Sequence, residues 1–333
     1  MKELPSRLCI KSEWFHKTAK KRPDANKWRP QRQLVDLWTQ VCTLSLARSV
    51  GIVVPDVYLM ISPYWTQSQR DEIDVKSIRA TLLSKKVDQF TELSSYYKKI
   101  CESVSPVALY EHPEWLLAQF SDAQKIALGQ LIATAFWLDH WDLLNNIDCA
   151  NAGFQMDENK THVRPVLIDG GNALDEGFNG QTKLETASLF STQSQNSPRS
   201  FAERRTSYQH AYPFDEHIHP FMPRVIFNQK KLFWQDPVVL KGFMRQADTI
   251  SQVSYQGLEQ VIKQSWQRVV DDDGFHDLRS SIIIQHVLRQ TKSRFLYRGL
   301  QCPMLEILLK RAKALKDMVH HHIPEKENTP KFI

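Results

Sequence analysis

Apolar and polar residues alternate most abruptly in the middle of the chain. Residues 126–138 are apolar on almost every side and contain one Gly and no Pro, a pattern that predicts a buried helix. Three Asp and three Asn follow within residues 139–151. Two short strands are then predicted on either side of a polar turn at 158–161. Because such strands pair as a hairpin, we expect Asn151, before the first strand, and Asp169, at the end of the second, to lie side by side.

Periodicity elsewhere predicts more helices than strands. An amphipathic helix is predicted at 33–49, with its apolar positions recurring every three or four residues at Leu34, Leu37, Val41, Leu44 and Ala47. Residues 53–61 and 74–85 are predicted to be extended and to pair with each other, and 90–104 to be helical. The last third of the chain predicts four helices, at 236–251, 255–270, 277–300 and 303–321.

The central segment resembles the catalytic core of a known superfamily. A helix, an Asp-containing loop, Asn151, a strand and the turn Ile168-Asp169-Gly170-Gly171 are similar to the core of atypical protein kinases. The HipA-like and phosphatidylinositol 3-/4-kinase-like branches are the most similar, because an Ile-Asp-Gly turn replaces Asp-Phe-Gly in them. Within these branches the chain resembles the compact bacterial effector kinases. Weaker similarity extends over residues 8–235 and includes a strand at 8–12 that carries Lys11.

This resemblance implies an α+β, protein-kinase-like fold with a reduced N-lobe and a mainly helical C-lobe. The implied boundaries are a reduced N-lobe at 1–84 and a C-lobe with catalytic loop and metal site at 85–235. The four predicted helices exceed what a minimal kinase lobe needs, so residues 236–333 are expected to form a C-terminal helical extension.

The resemblance also assigns chemical roles. Kinases position the reactants and neutralise charge more than they do covalent chemistry. Asp142 is implied as the carboxylate that orients or deprotonates the acceptor hydroxyl, with Asp139 as the alternative base. Asn151 and Asp169 are implied as ligands of Mg²⁺ or Mn²⁺. ATP is the implied cosubstrate, with Lys11 at its α- and β-phosphates and the main chain of Leu83 and Ser84 at its adenine.

Composition is that of a globular protein and indicates no transmembrane helix. Of 333 residues, 42% are hydrophobic and 24% charged, which is typical of a globular protein. No apolar run reaches the roughly 18 residues of a transmembrane helix. The five Cys lack metal-site spacing and are expected to be reduced thiols. A cytoplasmic location is expected or, as for several bacterial kinases of this type, delivery into a host cell with peripheral attachment to its membranes.

Charge is concentrated in two basic segments on either side of an acidic centre. Residues 17–32 hold seven Lys or Arg against one Asp, and residues 289–316 hold eight against one Glu. Residues 17–32 are interpreted as a solvated connector in preference to a dedicated anion site. The one-signed surface at 289–316 suits phosphate clusters, so a phosphoinositide or a soluble inositol polyphosphate is the expected partner, and the alternative is a basic surface that serves solubility only. No nucleic-acid recognition motif is present, and nucleic acid is not expected. The predicted polyanion-binding residues are Arg289, Lys292, Arg294, Arg298, Lys310, Arg311, Lys313 and Lys316.

Two functions from different classes follow. The first is a metal-dependent atypical kinase that transfers the γ-phosphate of ATP to Ser or Thr of a protein, under the control of a polyanion. The second is a pseudokinase that binds phosphoinositide or inositol polyphosphate. The intact Asp, Asn and Asp set favours the first. Two departures favour the second. The ten residues before Lys11 contain no Gly and so no glycine-rich loop, and the helix at 33–49 offers Asp36 and Gln40 where kinases carry the Glu that pairs with the lysine. A third interpretation keeps the fold but transfers AMP or another group.

Overall fold

The described part of the chain combines eight helices with two small sheets. The computed structural model describes residues 14–18, 30–63, 78–104, 114–140, 151–159, 162–171, 173–174, 236–271, 276, 278–297 and 299–322. The mixed α and β composition agrees with the predicted α+β class. No helix among the described residues combines the length and the apolar composition that crossing a bilayer requires.

The first sheet is built from residues far apart in the sequence. Its strands are β1 (Trp14–Thr18), β2 (Val57–Pro63), β3 (Ile78–Lys85) and β7 (Val269–Val270), in the order β1-β3-β2-β7. Strand β3 is antiparallel to both of its neighbours, as predicted for the segments around β2 and β3. Strand β7 runs parallel to β2, with Leu59 opposite Val269. The C-terminal third therefore completes the N-terminal sheet.

The long helix α1 (Pro30–Ser49) packs between this sheet and the C-terminal helices. Its predicted apolar stripe is buried. Trp38 of the same helix is also fully buried, against the ring of Trp266, with the two ring centroids 4.1 Å apart. Arg48 in its last turn donates to the carbonyl oxygens of Val54 and Pro55 and pairs with Asp56 at 2.9 Å. These bonds satisfy carbonyls just before β2 and fix the direction in which the chain enters that strand.

The second sheet contains the hairpin that the sequence predicts. Strands β4 (Phe90–Glu92), β5 (Ala152–Met156) and β6 (Val163–Leu167) are antiparallel in the order β4-β5-β6. The segment after α1 extends the sheet, because the main chain of Val53 bonds to Pro165 and Leu167 on the far edge of β6. Short helices α2 (Leu93–Cys101) and α3 (Glu114–Leu117) follow β4 in the chain.

Helix α4 (Asp122–Leu138) is the buried helix that the apolar run at 126–138 predicts. It begins with a capping box between Ser121 and Gln124. It crosses helix α5 (Pro237–Ser251) so closely that a Cβ on Gly129 would lie 2.1 Å from the carbonyl oxygen of Val239. A Cβ on Gly242 would meet the backbone of Ile126 at the same distance. Glycine is therefore required on both helices for this contact.

The remaining helices are α6 (Tyr255–Trp266), α7 (Leu278–Gln290) and α8 (Pro303–His322). Helix α7 is shorter than the predicted 277–300. It stops because Lys292 adopts a left-handed conformation, φ 51°, and the amide of Ser293 bonds back to the carbonyl of Leu288. Helix α6 likewise ends at Trp266, four residues before its predicted end, and β7 follows.

The C-terminal helices pack against the helices that precede them in the chain. One continuous hydrophobic cluster contains buried residues of α1, α4, α5, α6, α7 and α8. Trp137 of α4 is fully buried and donates its indole N–H to the carbonyl of Leu308 in α8 at 3.0 Å. The described residues of 236–322 thus contribute to the same hydrophobic cluster as the described residues assigned to the two lobes.

Candidate functional site

The loop after α4 begins with a tight left-handed turn. Asp139 has φ 50° and ψ 49°, its amide bonds to Phe136, and the amide of His140 bonds to the carbonyl of Ala135 at 2.8 Å. This is a Schellman motif with Asp where Gly is usual, at a cost of about 1–2 kcal/mol in backbone strain. The turn ends the buried helix, and the acidic segment that contains Asp142 follows in the sequence. Residues 141–150, including Asp142, lie outside the described residues.

Asn151 and Asp169 lie at neighbouring ends of strands β5 and β6, as predicted. Ala152 pairs with Leu167, and the amide of Ile168 donates to the carbonyl oxygen of Asn151 at 2.9 Å. Both polar residues are partly exposed. One carboxylate oxygen of Asp169 accepts the amide N–H of Gly171 at 2.9 Å, which fixes the side chain over its own turn.

The Asp169-Gly170-Gly171 turn is held against helix α1. A Cβ on Gly170 would lie 2.8 Å from the carbonyl oxygen of Gln40 and 2.9 Å from Cβ of Thr43. Any larger residue would push the turn away from the helix. Within α1, Gln40 donates to the carboxylate of Asp36 at 3.1 Å. The two residues that the sequence offers where kinases carry a Glu therefore bond to each other.

A buried histidine joins the end of α4 to the Asp169 turn. His140 is fully buried, and its Nε2 lies 2.8 Å from the main-chain oxygen of Asp169. The amide of Leu174 donates to the carbonyl of Leu138 at 2.7 Å, so the two loops are tied at a second point. Our sequence interpretation did not include His140. The signal was present, because His140-Trp141-Asp142 has the His-x-Asp spacing of the His-Arg-Asp motif in protein kinases.

The alternative base, Asp139, is buried rather than open to a substrate. It is 2% exposed and forms an ion pair with Arg311 of α8, which is 4% exposed, with 3.4 Å between Oδ2 and Nη2. A group that takes a proton from an acceptor hydroxyl must come within hydrogen-bond distance of it. The burial and the ion pair make Asp139 a structural carboxylate.

The placement of the predicted nucleotide contacts is mixed. Lys11 and the predicted strand at 8–12 lie outside the described residues, and the strand that is described, β1, begins at Trp14. Leu83 and Ser84 lie on β3, the strand with ladder partners on both sides. Their peptide groups are therefore used within the sheet, which differs from the predicted contact with adenine.

The residues predicted to bind a polyanion differ in their exposure. Arg289, Lys292, Lys310, Lys313 and Lys316 are exposed, and Arg294 is half-buried. Arg298 lies outside the residues whose side chains are described. Arg311 was wrongly included, since it points into the core and pairs with Asp139. Its position was readable from the sequence, because Arg311 falls on the apolar stripe of α8 between Leu308 and Leu315.

Asn151 and Asp169 carry side chains of a type that divalent cations take as ligands. They offer a carboxylate and an amide oxygen, the hard ligands that Mg²⁺ prefers. Mg²⁺ is commonly bound by one or two carboxylates together with phosphates and water, so a small protein ligand set is sufficient. The described residues contain no group of three or more His, Cys, Asp or Glu side chains arranged to hold a metal alone.

No protein-family model, curated protein or solved structure matches this chain. Function is therefore inferred from the chain's own geometry.

Proposed function

We propose that this protein is a metal-dependent phosphotransferase of the atypical kinase type, acting on Ser or Thr of a protein. The observation that carries the proposal is the juxtaposition of Asn151 and Asp169, fixed by the 2.9 Å bond between Ile168 and Asn151. Order along the chain adds support, because a buried helix, an acidic segment, Asn151, a hairpin and the Asp169 turn follow one another as in kinases.

The proposed roles follow from charge and position. Asn151 and Asp169 hold Mg²⁺ or Mn²⁺ against the phosphates of ATP, and the cation neutralises charge that develops during transfer. His140 positions the Asp169 turn through its 2.8 Å contact with the main-chain oxygen. Lys11 remains the proposed ligand of the α- and β-phosphates.

Asp142 is the proposed catalytic carboxylate. It follows His140 by two residues in the sequence, and the ring of His140 lies 2.8 Å from the main-chain oxygen of Asp169. Asp139, by contrast, is committed to Arg311. Because the main chain of β3 is used within the sheet, we move the proposed adenine contact from Leu83 and Ser84 to residues 86–87, which directly follow the strand and lie outside its ladders.

Phosphate transfer by an Asp169→Ala variant tests the proposal. Loss of a metal ligand removes charge neutralisation rather than packing, so transfer from ATP in Mn²⁺ should fall to background while the melting temperature stays close to the wild-type value. Asp157→Ala is the matched control. Asp157 is a carboxylate at the opposite end of the same hairpin, where it accepts the amide of His162. Full activity in purified Asp169→Ala protein would remove the proposed mechanism.

A binding module is the second candidate, and the exposed lysines of α8 favour it. Lys310, Lys313 and Lys316 are spaced by three residues and are all exposed, so their ammonium groups can approach one polyanion together. As a pseudokinase, the protein would bind phosphoinositide or inositol polyphosphate without transferring phosphate. Polyanion binding with no ATP binding in any condition would favour this second function.

A further inference from the structure

Two arginines from distant parts of the chain share one carboxylate beside the start of β2. Arg48 lies in the last turn of α1, and Arg268 directly precedes β7. Oδ1 of Asp56 lies 2.9 Å from Nη2 of Arg48 and 3.8 Å from Nη1 of Arg268. Burial lowers the pKa of Arg268, and the guanidinium of Arg48 lowers it further, because the two cations repel each other. One negative charge therefore faces two positive charges.

The main chain holds each guanidinium in place. Nη2 of Arg48 donates to the carbonyl oxygens of the two residues that directly precede Asp56, at 3.1 and 2.9 Å. Nη1 of Arg268 donates to the carbonyl oxygen of Val57 at 3.2 Å. The same guanidinium lies over the ring of Tyr58, 5.7 Å from its centroid. Side chains held in this way lose little further conformational freedom when a ligand binds to them.

Several donors of these two side chains are open to a ligand. Within the described part of the chain, Nε and Nη1 of Arg48 and Nε and Nη2 of Arg268 make no hydrogen bond. The two side chains are 38% and 23% exposed, so solvent reaches the cluster. Guanidinium forks match the geometry of phosphate oxygens, and a phosphate monoester has three strong acceptor oxygens with which to bridge two arginines. The open donors and the excess of positive charge therefore favour a phosphate group as the ligand.

We propose that Arg48 and Arg268 form a phosphate-binding site at the junction of α1, β2 and β7. The phosphate accepts from the open donors of both guanidiniums and supplies the negative charge that the cluster lacks. It belongs either to a small soluble compound or to a phosphorylated peptide. The site is separate from the proposed metal site, because Arg48 lies about 12 Å along α1 from Gln40, the residue against which Gly170 packs. A bound phosphate would join the end of α1 to β7.

Asp56 gives the prediction that distinguishes a phosphate site from a structural ion pair. Its side chain is 52% exposed and lies beside the open donors, so its charge repels a phosphate. Asp56→Asn removes that charge and leaves both arginines in the protein. If the three residues form only a structural ion pair, this variant gains no affinity for phosphate. If they form a phosphate site, its affinity for phosphate should rise about tenfold.

The test is a titration of the full chain followed by NMR of the arginine Nε–H groups, at constant ionic strength. Inorganic phosphate should shift the signals of Arg48 and Arg268 in wild type, with a Kd on the order of 1 mM. Asp56→Asn should bind about tenfold more tightly, and Arg268→Gln about tenfold or more weakly. The matched controls, Asp248→Asn and Arg245→Gln, make the same two changes at exposed positions of α5 and should match wild type.

The origin of the phosphate is decided by a phosphoserine peptide and the same peptide without phosphate. Binding of the phosphopeptide about tenfold more tightly than inorganic phosphate assigns the site to a phosphorylated protein, and equal affinity assigns it to a small phosphate compound. The unphosphorylated peptide should not bind.

Two results would overturn the proposal. The first is phosphate that leaves the signals of Arg48 and Arg268 unshifted, and the second is an Asp56→Asn protein with the affinity of wild type. This variant decides the matter even if Arg268→Gln does not fold. Because the titration contains no ATP, its outcome is independent of the proposed phosphotransferase activity.

Discussion

At the scale of single residues, Asp139 and Asp142 show why neighbouring carboxylates need separate assignments. Asp139 and Asp142 are three residues apart in the acidic segment and were both candidates for the catalytic base. The sequence could not separate them, because both are carboxylates after the same apolar helix. The partner that distinguishes them, Arg311, comes from the other end of the chain. Burial of Asp139 assigns it to structure, and Asp142 is the carboxylate that the proposed function assigns to chemistry.

We predict opposite signatures for alanine at these two positions. Asp139→Ala leaves Arg311 as an uncompensated buried charge and should lower the free energy of unfolding by about 3–5 kcal/mol. Asp142→Ala should change stability little and lower the transfer rate by about 10²–10⁴-fold, the usual contribution of a positioned acid–base group. Urea unfolding and initial rates, compared below both melting temperatures, decide between them. A larger rate loss in Asp139→Ala, with its stability unchanged, would reverse the assignment.

At the scale of elements, the pattern of apolar and polar residues predicted the helices and strands that depend on contiguous residues. The hairpin β5–β6 and helix α4 follow from alternation and from an uninterrupted apolar run. The end of α7 at Gln290 was missed because a lysine, Lys292, takes the left-handed position where Gly is the usual signal. Strand β7 was missed because two residues give no periodicity and its pairing with β2 is distant in sequence.

The exposed face of helix α8 gives a prediction at the same scale. Replacing Lys310, Lys313 and Lys316 with Gln should abolish binding to liposomes that contain phosphoinositide, and to inositol hexakisphosphate, at physiological salt. The melting temperature should stay close to that of wild type, because all three side chains are exposed. Arg311 is left intact, since its replacement would disturb the core. Binding that survives the triple change would move the polyanion site elsewhere, with the basic segment 17–32 next to be tested.

At the scale of the whole molecule, the sequence predicted three units, and described helices from all three ranges contribute to one hydrophobic cluster. The three ranges were separated by composition and by resemblance, neither of which records contacts across the chain. Cys42 of α1 and Cys302, just before α8, are both fully buried in the common core. Burial raises the pKa of each thiol, and the proximity of Cys302 raises that of Cys42 further. Both groups therefore report on the integrity of the same core.

We predict that these two thiols become reactive together. Raised pKa values leave less thiolate at pH 8 than an exposed cysteine would have, so both should label slowly in the native protein. Pulse labelling with iodoacetamide across a urea series, read by mass spectrometry for each site, should give coincident midpoints for Cys42 and Cys302. Labelling of Cys302 at clearly lower urea than Cys42 would mean that the C-terminal helices unfold as a separate unit.

The central claim is that Asn151 and Asp169 hold a divalent cation on ATP, and metal-dependent nucleotide binding tests it most directly. The measurement is the melting temperature with ATP and Mn²⁺ together and with each alone, in the presence and absence of inositol hexakisphosphate. ATP at about 100 times its Kd stabilises a protein by about 2.7 kcal/mol, which shifts the melting temperature by several degrees. We predict this shift for wild type and Asp157→Ala only when ATP and Mn²⁺ are both present, and its loss in Asp169→Ala. No shift in wild type in any combination, or an equal shift in Asp169→Ala, would contradict the claim.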